Sequence, residues 1–129
     1  MKKKVLIIDN HLTNTSDFVS VLGKEYDVDV TVCTSTASAK LKKSYNFVII
    51  DVIVPTGGED ESGDGLTGFI YYETELKKKE IPVLFWSWNV EFENAVKDKN
   101  WDKTGFLLKE TDDDHLLKGV ERFCKKYNI

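Results

Sequence analysis

Residues 47–55 of this chain read FVIIDVIVP. Four apolar residues precede Asp51 without the polar alternation of a half-exposed strand. A short continuous apolar run of this kind is typical of a strand in a parallel sheet that is covered on both faces. The stretch therefore predicts a buried central strand that ends at an acidic side chain, Asp51.

Similar apolar runs recur along the chain, at residues 5–8, 28–32, 47–50, 83–85 and 105–108. Segments with helical spacing separate them, including a third-helix stripe of Leu66, Phe69, Tyr72 and Leu76. The last helical stripe comprises Leu116, Leu117, Val120, Phe123, Cys124 and Tyr127. Thr111 and Asp112 are candidate caps for that helix. Five alternating strand–helix units predict an α/β fold, a doubly wound five-stranded parallel sheet with helices on both faces.

Length and composition limit the class of protein. The chain has 129 residues, which predicts a single domain over residues 1–129. No stretch approaches the roughly 20 apolar residues that span a bilayer, so we expect a cytoplasmic protein with no membrane partner. The formal net charge of −4 argues against a nucleic-acid partner. Cys33 and Cys124 lack the paired spacing of zinc sites, which predicts reduced structural thiols.

An acidic, glycine-rich segment interrupts the alternation at residues 56–65. We interpret it as a flexible, solvated loop at the carboxyl edge of the sheet, where folds of this class bind ligands. A calcium loop is the alternative interpretation, because carboxylates alternating with glycine can surround a hard cation. The order of the acids does not match an EF-hand, and no glutamate closes the segment.

Polar side chains follow four of the predicted strands. Asp9 and Asn10 follow the first strand, Asp51 the third, Ser87 the fourth and Lys109 the fifth. Each one alone could be a helix cap or a surface residue, but the ends of parallel strands converge on one crevice. The carboxylate and amide oxygens suit Mg²⁺, whereas a hydroxyl and an ammonium suit phosphoryl oxygens. Together they predict an aspartyl-phosphate site in which Asp51 is the nucleophile.

Four motifs carry a resemblance to a known family: VLIIDN, FVIIDVIVP, IPVLFWS and GFLLK. With them, the chain resembles the receiver domains of two-component response regulators, which are CheY-like, over nearly its whole length. Pro55 follows Asp51 by four residues, and Phe106 precedes Lys109 by three, as in that family. The resemblance implies the flavodoxin-like strand order 2-1-3-4-5.

The resemblance also implies roles for individual residues. Asp51 would be the phosphoacceptor, Ser87 and Lys109 would contact the phosphoryl oxygens, and Phe106 would be the switch aromatic. The implied Mg²⁺ ligands are Asp9, Asn10, Asp51 and the backbone carbonyl of Ile53. The implied partners are a histidine kinase or phosphotransfer protein and a downstream protein target, with a homodimer as a further candidate. Such a domain catalyses only its own phosphoryl transfer and dephosphorylation, so we do not expect a dedicated enzyme.

Four features depart from the family pattern. Asn10 replaces a second metal-binding acid, and Glu110 replaces the proline that commonly follows the lysine. Trp88 replaces a small residue and is a candidate gate over the site. The segment between Pro55 and residue 65 is longer than usual. These departures leave open an alternative, a pseudo-receiver that binds partners without being phosphorylated.

Two other classes fit the sequence less well. A phosphatase with an aspartyl nucleophile needs a second acid two residues later, where this chain has His11 and Ile53. A flavodoxin-like flavin protein needs a phosphate-binding turn after the first strand, where Asp9 would repel phosphate. Both classes are therefore disfavoured.

Overall fold

The computed structural model describes residues 2–10, 12–55, 57, 66–109 and 112–129, with the backbone alone for residues 12–16. The strands are β1 (Lys3–Ile8), β2 (Tyr26–Thr31), β3 (Phe47–Asp51), β4 (Val83–Ser87) and β5 (Thr104–Leu108). The α-helices are α1 (Leu12–Leu22), α2 (Thr34–Lys40), α3 (Thr67–Tyr71), α4 (Glu91–Lys99) and α5 (Asp113–Lys126). A π-helical segment, Tyr72–Leu76, and a 3₁₀ turn, Lys77–Lys79, continue α3.

The strands form one parallel sheet in the order β2-β1-β3-β4-β5. This confirms the predicted fold class and strand order. Every residue of β3 and β4 is buried, as are the last four residues of β1. The continuous apolar runs therefore lie in the three central strands, where helices cover both faces.

Two apolar clusters lie on opposite faces of the sheet because successive strand side chains point in opposite directions. On one face, α1 and α5 pack through residues such as Phe18, Leu22 and Phe123. On the other face, α2, α3 and α4 pack through residues such as Ala37 and Phe69. The site at the end of the strands is thus held between two packed layers.

The last helix forms as its sequence predicts. The Asp112 carboxylate accepts a hydrogen bond of 2.9 Å from the His115 backbone N–H, which makes Asp112 the N-cap. The buried residues of α5 are Leu116, Val120, Phe123 and Cys124. Their spacing of three or four residues places them on one side of the helix. The second cap candidate, Thr111, lies outside the described residues.

Two details of the predicted elements are wrong. Leu66 precedes α3 instead of lying within it, and its side chain is 43% exposed rather than part of the core. The second strand covers residues 26–31, and Val32 beyond it is also exposed. Leu66 and Val32 lie beyond the packed part of the helix and of the strand, and their side chains are not covered. Residues 56 and 58–65 of the acidic segment, and Glu110, lie outside the described residues.

No helix in the described ranges is both long enough and apolar enough to cross a membrane.

Candidate functional site

The carboxyl edge of the sheet brings together three of the predicted site residues. Asp9 follows β1, Asp51 is the last residue of β3, and Lys109 follows β5. The ladder continues past the strands, because the backbone N–H of Lys109 donates to the carbonyl of Ser87 at 2.9 Å. The N–H of Asp9 likewise donates to the Thr31 carbonyl at 2.9 Å. These bonds hold the backbone of Lys109 and of Asp9 in place, and so determine where the two side chains begin.

A buried ion cluster occupies this edge. The Lys109 Nζ atom lies 2.7 Å from Oδ2 of Asp9 and 2.8 Å from Oδ2 of Asp51. The three residues are 0–6% exposed. Buried charges of this kind require partners, because removing one would leave the others uncompensated in a low-dielectric setting. Two carboxylates around one ammonium leave a formal charge of −1, which favours the approach of a further cation.

Asp51 is held in one orientation. Its Oδ1 atom accepts a hydrogen bond of 3.0 Å from the Ile53 backbone N–H, while its Oδ2 atom faces Lys109. Burial raises the pKa of the Asp51 carboxyl, and the contacts with Lys109 and Ile53 oppose that rise. The side chain is thus a partly desolvated carboxylate of fixed direction, as a nucleophile requires.

Ser87 ends β4 and is also buried. Its Oγ atom accepts a hydrogen bond of 3.1 Å from the backbone N–H of Asn89. That bond uses the oxygen as an acceptor and leaves the hydroxyl proton available as a donor. Ser87 therefore begins the turn into α4 and retains a donor for an anionic oxygen.

Asn10 and Ile53 lie close in sequence to Asp9 and Asp51, but the structure does not test their predicted metal ligation. Asn10 is exposed, although its neighbour Asp9 is fully buried. Ile53 is half-buried, and its N–H contacts Asp51. Metal ligation by the Asn10 amide and by the Ile53 carbonyl stays a prediction.

Trp88 lies beside the ion cluster. Its ring centroid is 6.0 Å from Lys109 Nζ, and the residue is 55% exposed. If the Trp88 side chain packed against α4, a smaller fraction of it would be exposed to solvent. The predicted role of Trp88 as a gate stays a prediction, and its position is compatible with that role.

Phe106 lies on β5 and is half-buried. Its ring packs against the apolar cluster beneath α4 and lines a surface cavity of about 350 Å³ with Val96, Trp101 and Tyr127. Phe106 thus borders this cavity. The switch role of Phe106 stays a prediction.

Known structures share this architecture. The chemotaxis response regulator CheY4 of Vibrio cholerae matches with a TM-score of 0.73 and 23% identity, covering 95% of this chain and 99% of that one. A two-component response regulator from Clostridium difficile matches with a TM-score of 0.69 and 19% identity, covering 99% and 100%. NtrX from Brucella abortus matches with a TM-score of 0.71 and 20% identity, covering 98% of this chain but 28% of that one. The chain has the CheY-like receiver fold. No family model and no curated protein matches its sequence.

The residues at the edge of this receiver fold suit Mg²⁺ by their chemistry. Asp9 and Asp51 present carboxylate oxygens, which hard divalent cations prefer. Among the described residues there is no group of three or more His, Cys, Asp or Glu side chains that could hold a metal. Asp9 and Asp51 would therefore supply two acidic ligands to a magnesium ion, and neutral oxygens would have to complete its shell.

Trp86 also lies at this edge of the receiver fold, and it was not among the residues predicted from the sequence. Its ring centroid is 4.7 Å from Lys109 Nζ, and it is 1% exposed. Trp86 and Trp88 flank Ser87 in the sequence, and both ring centroids lie within 6.0 Å of Lys109 Nζ. That pair of tryptophans around a predicted site residue was the signal that could have identified Trp86.

Proposed function

We propose that this chain is a signalling receiver that accepts a phosphoryl group on Asp51. The observation that carries the proposal is the buried contact of Lys109 Nζ with both Asp9 and Asp51. The Lys109 ammonium can bind the carboxylate before the transfer and a phosphoryl oxygen after it. It can therefore offset the negative charge as that charge moves to the phosphoryl group.

The transfer step follows from the residues present. A carboxylate oxygen of Asp51 attacks the phosphorus of the donor and forms a new P–O bond. The bond from phosphorus to the donor's leaving group breaks, and its electron pair departs with that group. Lys109 and the hydroxyl of Ser87 donate hydrogen bonds to the phosphoryl oxygens, which lowers the energy of the charged transition state.

Magnesium would be held by the carboxylates of Asp9 and Asp51, with Asn10 and the Ile53 carbonyl as neutral oxygen ligands. When bound, it would supply positive charge to the phosphoryl oxygens. The charges of the phosphorylated site explain why a cation would be needed. An aspartyl phosphate carries a charge close to −2 and Asp9 adds −1, whereas Lys109 contributes only +1.

The signal would pass through protein contacts. A histidine kinase or phosphotransfer protein would be the donor, and a downstream protein would recognise the phosphorylated form. The surface formed by α4, β5 and α5 is the proposed output face, as the resemblance to receiver domains implies, and Phe106 borders a cavity there.

A second candidate function is a pseudo-receiver that binds partners without phosphorylation. The exposed ring of Trp88 near Lys109 favours it, because an indole there would obstruct a phosphodonor. The buried ion cluster favours phosphorylation, since it places the Lys109 ammonium 2.8 Å from the carboxylate that would accept the phosphoryl group.

Intact-mass spectrometry distinguishes the two functions. Incubation with acetyl phosphate and Mg²⁺ should add the mass of one phosphoryl group to the wild-type chain. The Asp51→Asn variant should remain unmodified under the same conditions. An unmodified wild-type chain would support the pseudo-receiver, and a modified Asp51→Asn chain would place the acceptor elsewhere.

A further inference from the structure

Trp86 lies beside the side chain of Lys109, which extends to Asp9 and Asp51. Lys109 follows β5 and Asp51 ends β3, so the lysine side chain passes over the end of the intervening strand β4. Neighbouring strands are about 4.8 Å apart, and the lysine must therefore extend across nearly two strand spacings. Trp86 belongs to β4 and pairs with Asp51 in the ladder. Its ring is 4.7 Å from Lys109 Nζ.

The indole N–H of Trp86 is a polar group at an otherwise apolar position. Its Nε1 atom is buried and has no hydrogen-bond acceptor within the part of the chain that the structure describes. A buried donor without an acceptor is unfavourable, and a phenyl ring would fill much of this space without one. What an indole offers over a phenyl ring is a stronger attraction for a cation on its face.

The attraction of the Trp86 ring for a cation leaves the N–H donors of Lys109 available for oxygen atoms. An ammonium has three N–H donors, and the face of a ring attracts its charge without occupying any of them in a conventional hydrogen bond. The donors remain free to move from carboxylate to phosphoryl oxygens. The ring itself is fixed, because Phe18 packs against it with ring centroids 5.3 Å apart.

We propose that Trp86 is a positioning residue that holds the Lys109 ammonium beside Asp51 during phosphoryl transfer. This inference rests on the proposed function of Asp51. Trp86 acts through Lys109 alone and does not touch the phosphoryl group. Trp88, which is exposed and 6.0 Å from the same ammonium, has no part in this role.

Fluorinated tryptophan tests the proposal, because fluorine weakens the attraction of the ring for a cation while changing its size little. In the full chain with Trp88→Phe and Trp101→Phe, Trp86 is the sole tryptophan. Replacing it by trifluorotryptophan should slow labelling by acetyl phosphate about tenfold, equivalent to about 1.4 kcal/mol. The Mg²⁺ dissociation constant should be unchanged, and the chain should stay folded at the temperature of the assay.

A matched control uses Trp101, whose ring lies 4.9 Å from a different lysine, Lys99. With Trp86→Phe and Trp88→Phe, Trp101 is the sole tryptophan, and fluorination should leave the labelling rate unchanged. An equal effect of fluorine in both proteins would overturn the proposal. So would an unchanged rate in the Trp86 protein.

Nuclear magnetic resonance supplies a readout that does not depend on phosphorylation. The ε-methylene protons of Lys109, assigned with Lys109→Arg, should be shifted upfield by the ring current of Trp86. Fluorination of Trp86 should move them towards the position of an exposed lysine. If they stay in place, Trp86 does not hold the ammonium, whatever the labelling result. Failure of the unfluorinated chain to be labelled would instead contradict the proposed function.

Discussion

Lys109 Nζ lies 2.8 Å from Oδ2 of Asp51, although Lys109 follows β5, Asp51 ends β3, and β4 lies between those two strands. Both side chains are buried, so the pair is an internal ion pair and not a surface contact. The same ammonium contacts Asp9 on β1 at 2.7 Å. One side chain from the edge strand β5 thus joins the ends of the central strands.

The first prediction concerns the stability of this ion cluster. Lys109→Met should lower the free energy of unfolding by about 3–5 kcal/mol, because two carboxylates would be left buried without a cation. Urea denaturation measures the change. The control is Lys78→Met, which removes a lysine paired with Glu75 at 3.3 Å on the surface and should change stability by less than about 1 kcal/mol. Equal losses in the two variants would contradict the account of a buried cluster.

The second prediction concerns the metal. Asn10→Asp restores an acid next to Asp9 and should strengthen Mg²⁺ binding by about one to a few kcal/mol, because a unit charge is added near a divalent ion. Quenching of tryptophan fluorescence can follow the titration, since two indoles lie near Lys109. Asn100→Asp adds the same charge at the far end of α4 and should have little effect. If both variants bind magnesium equally well, Asn10 is not in the metal shell.

The third prediction concerns Trp88. Trp88→Ala should speed labelling by acetyl phosphate and leave Mg²⁺ affinity nearly unchanged, because it removes an obstruction and no reacting group. The loss of stability should be small, since the side chain is 55% exposed. Labelling rate and thermal midpoint are measured on the same protein. A loss of about 3–5 kcal/mol, as for a buried tryptophan, with an unchanged rate would rule out the gate.

The fourth prediction concerns Gly68, which lies in α3 against the end of β3. A Cβ atom there would be 2.3 Å from the backbone oxygen of Asp51 and 2.9 Å from Cα of Val52. Gly68→Ala should therefore destabilise the fold by about 1–3 kcal/mol and slow labelling, although alanine favours helices.

Gly119→Ala in α5 is the matched control for Gly68. Its Cβ would meet the end of the flexible Leu107 side chain, at 2.4 Å, and that side chain can move. We expect a smaller loss of stability and no change in labelling rate. If Gly119→Ala slows labelling as much as Gly68→Ala, the effect is not local to Asp51.

The five strands and the polar residues at their ends could be predicted from the sequence pattern, whereas the strand order 2-1-3-4-5 was implied only by the resemblance to receiver domains. Continuous apolar runs end where the sheet ends, so the amino-acid pattern alone locates Asp51, Ser87 and Lys109 at one edge. The contact of Lys109 with Trp86 could not be predicted, because it depends on the path of a long flexible side chain across β4. The exposure of Leu66 was missed because helical spacing alone does not fix where a helix begins.

Site-resolved detection of the phosphoryl group shows whether Asp51 is the phosphoacceptor. After acetyl phosphate and Mg²⁺, borohydride reduces an aspartyl phosphate to the alcohol of homoserine, and peptide mass spectrometry locates the modified residue. We expect homoserine at residue 51 of the wild-type chain and nowhere else, with none in Asp51→Asn. Reduction at Asp9, or none in a folded wild-type chain, would contradict it.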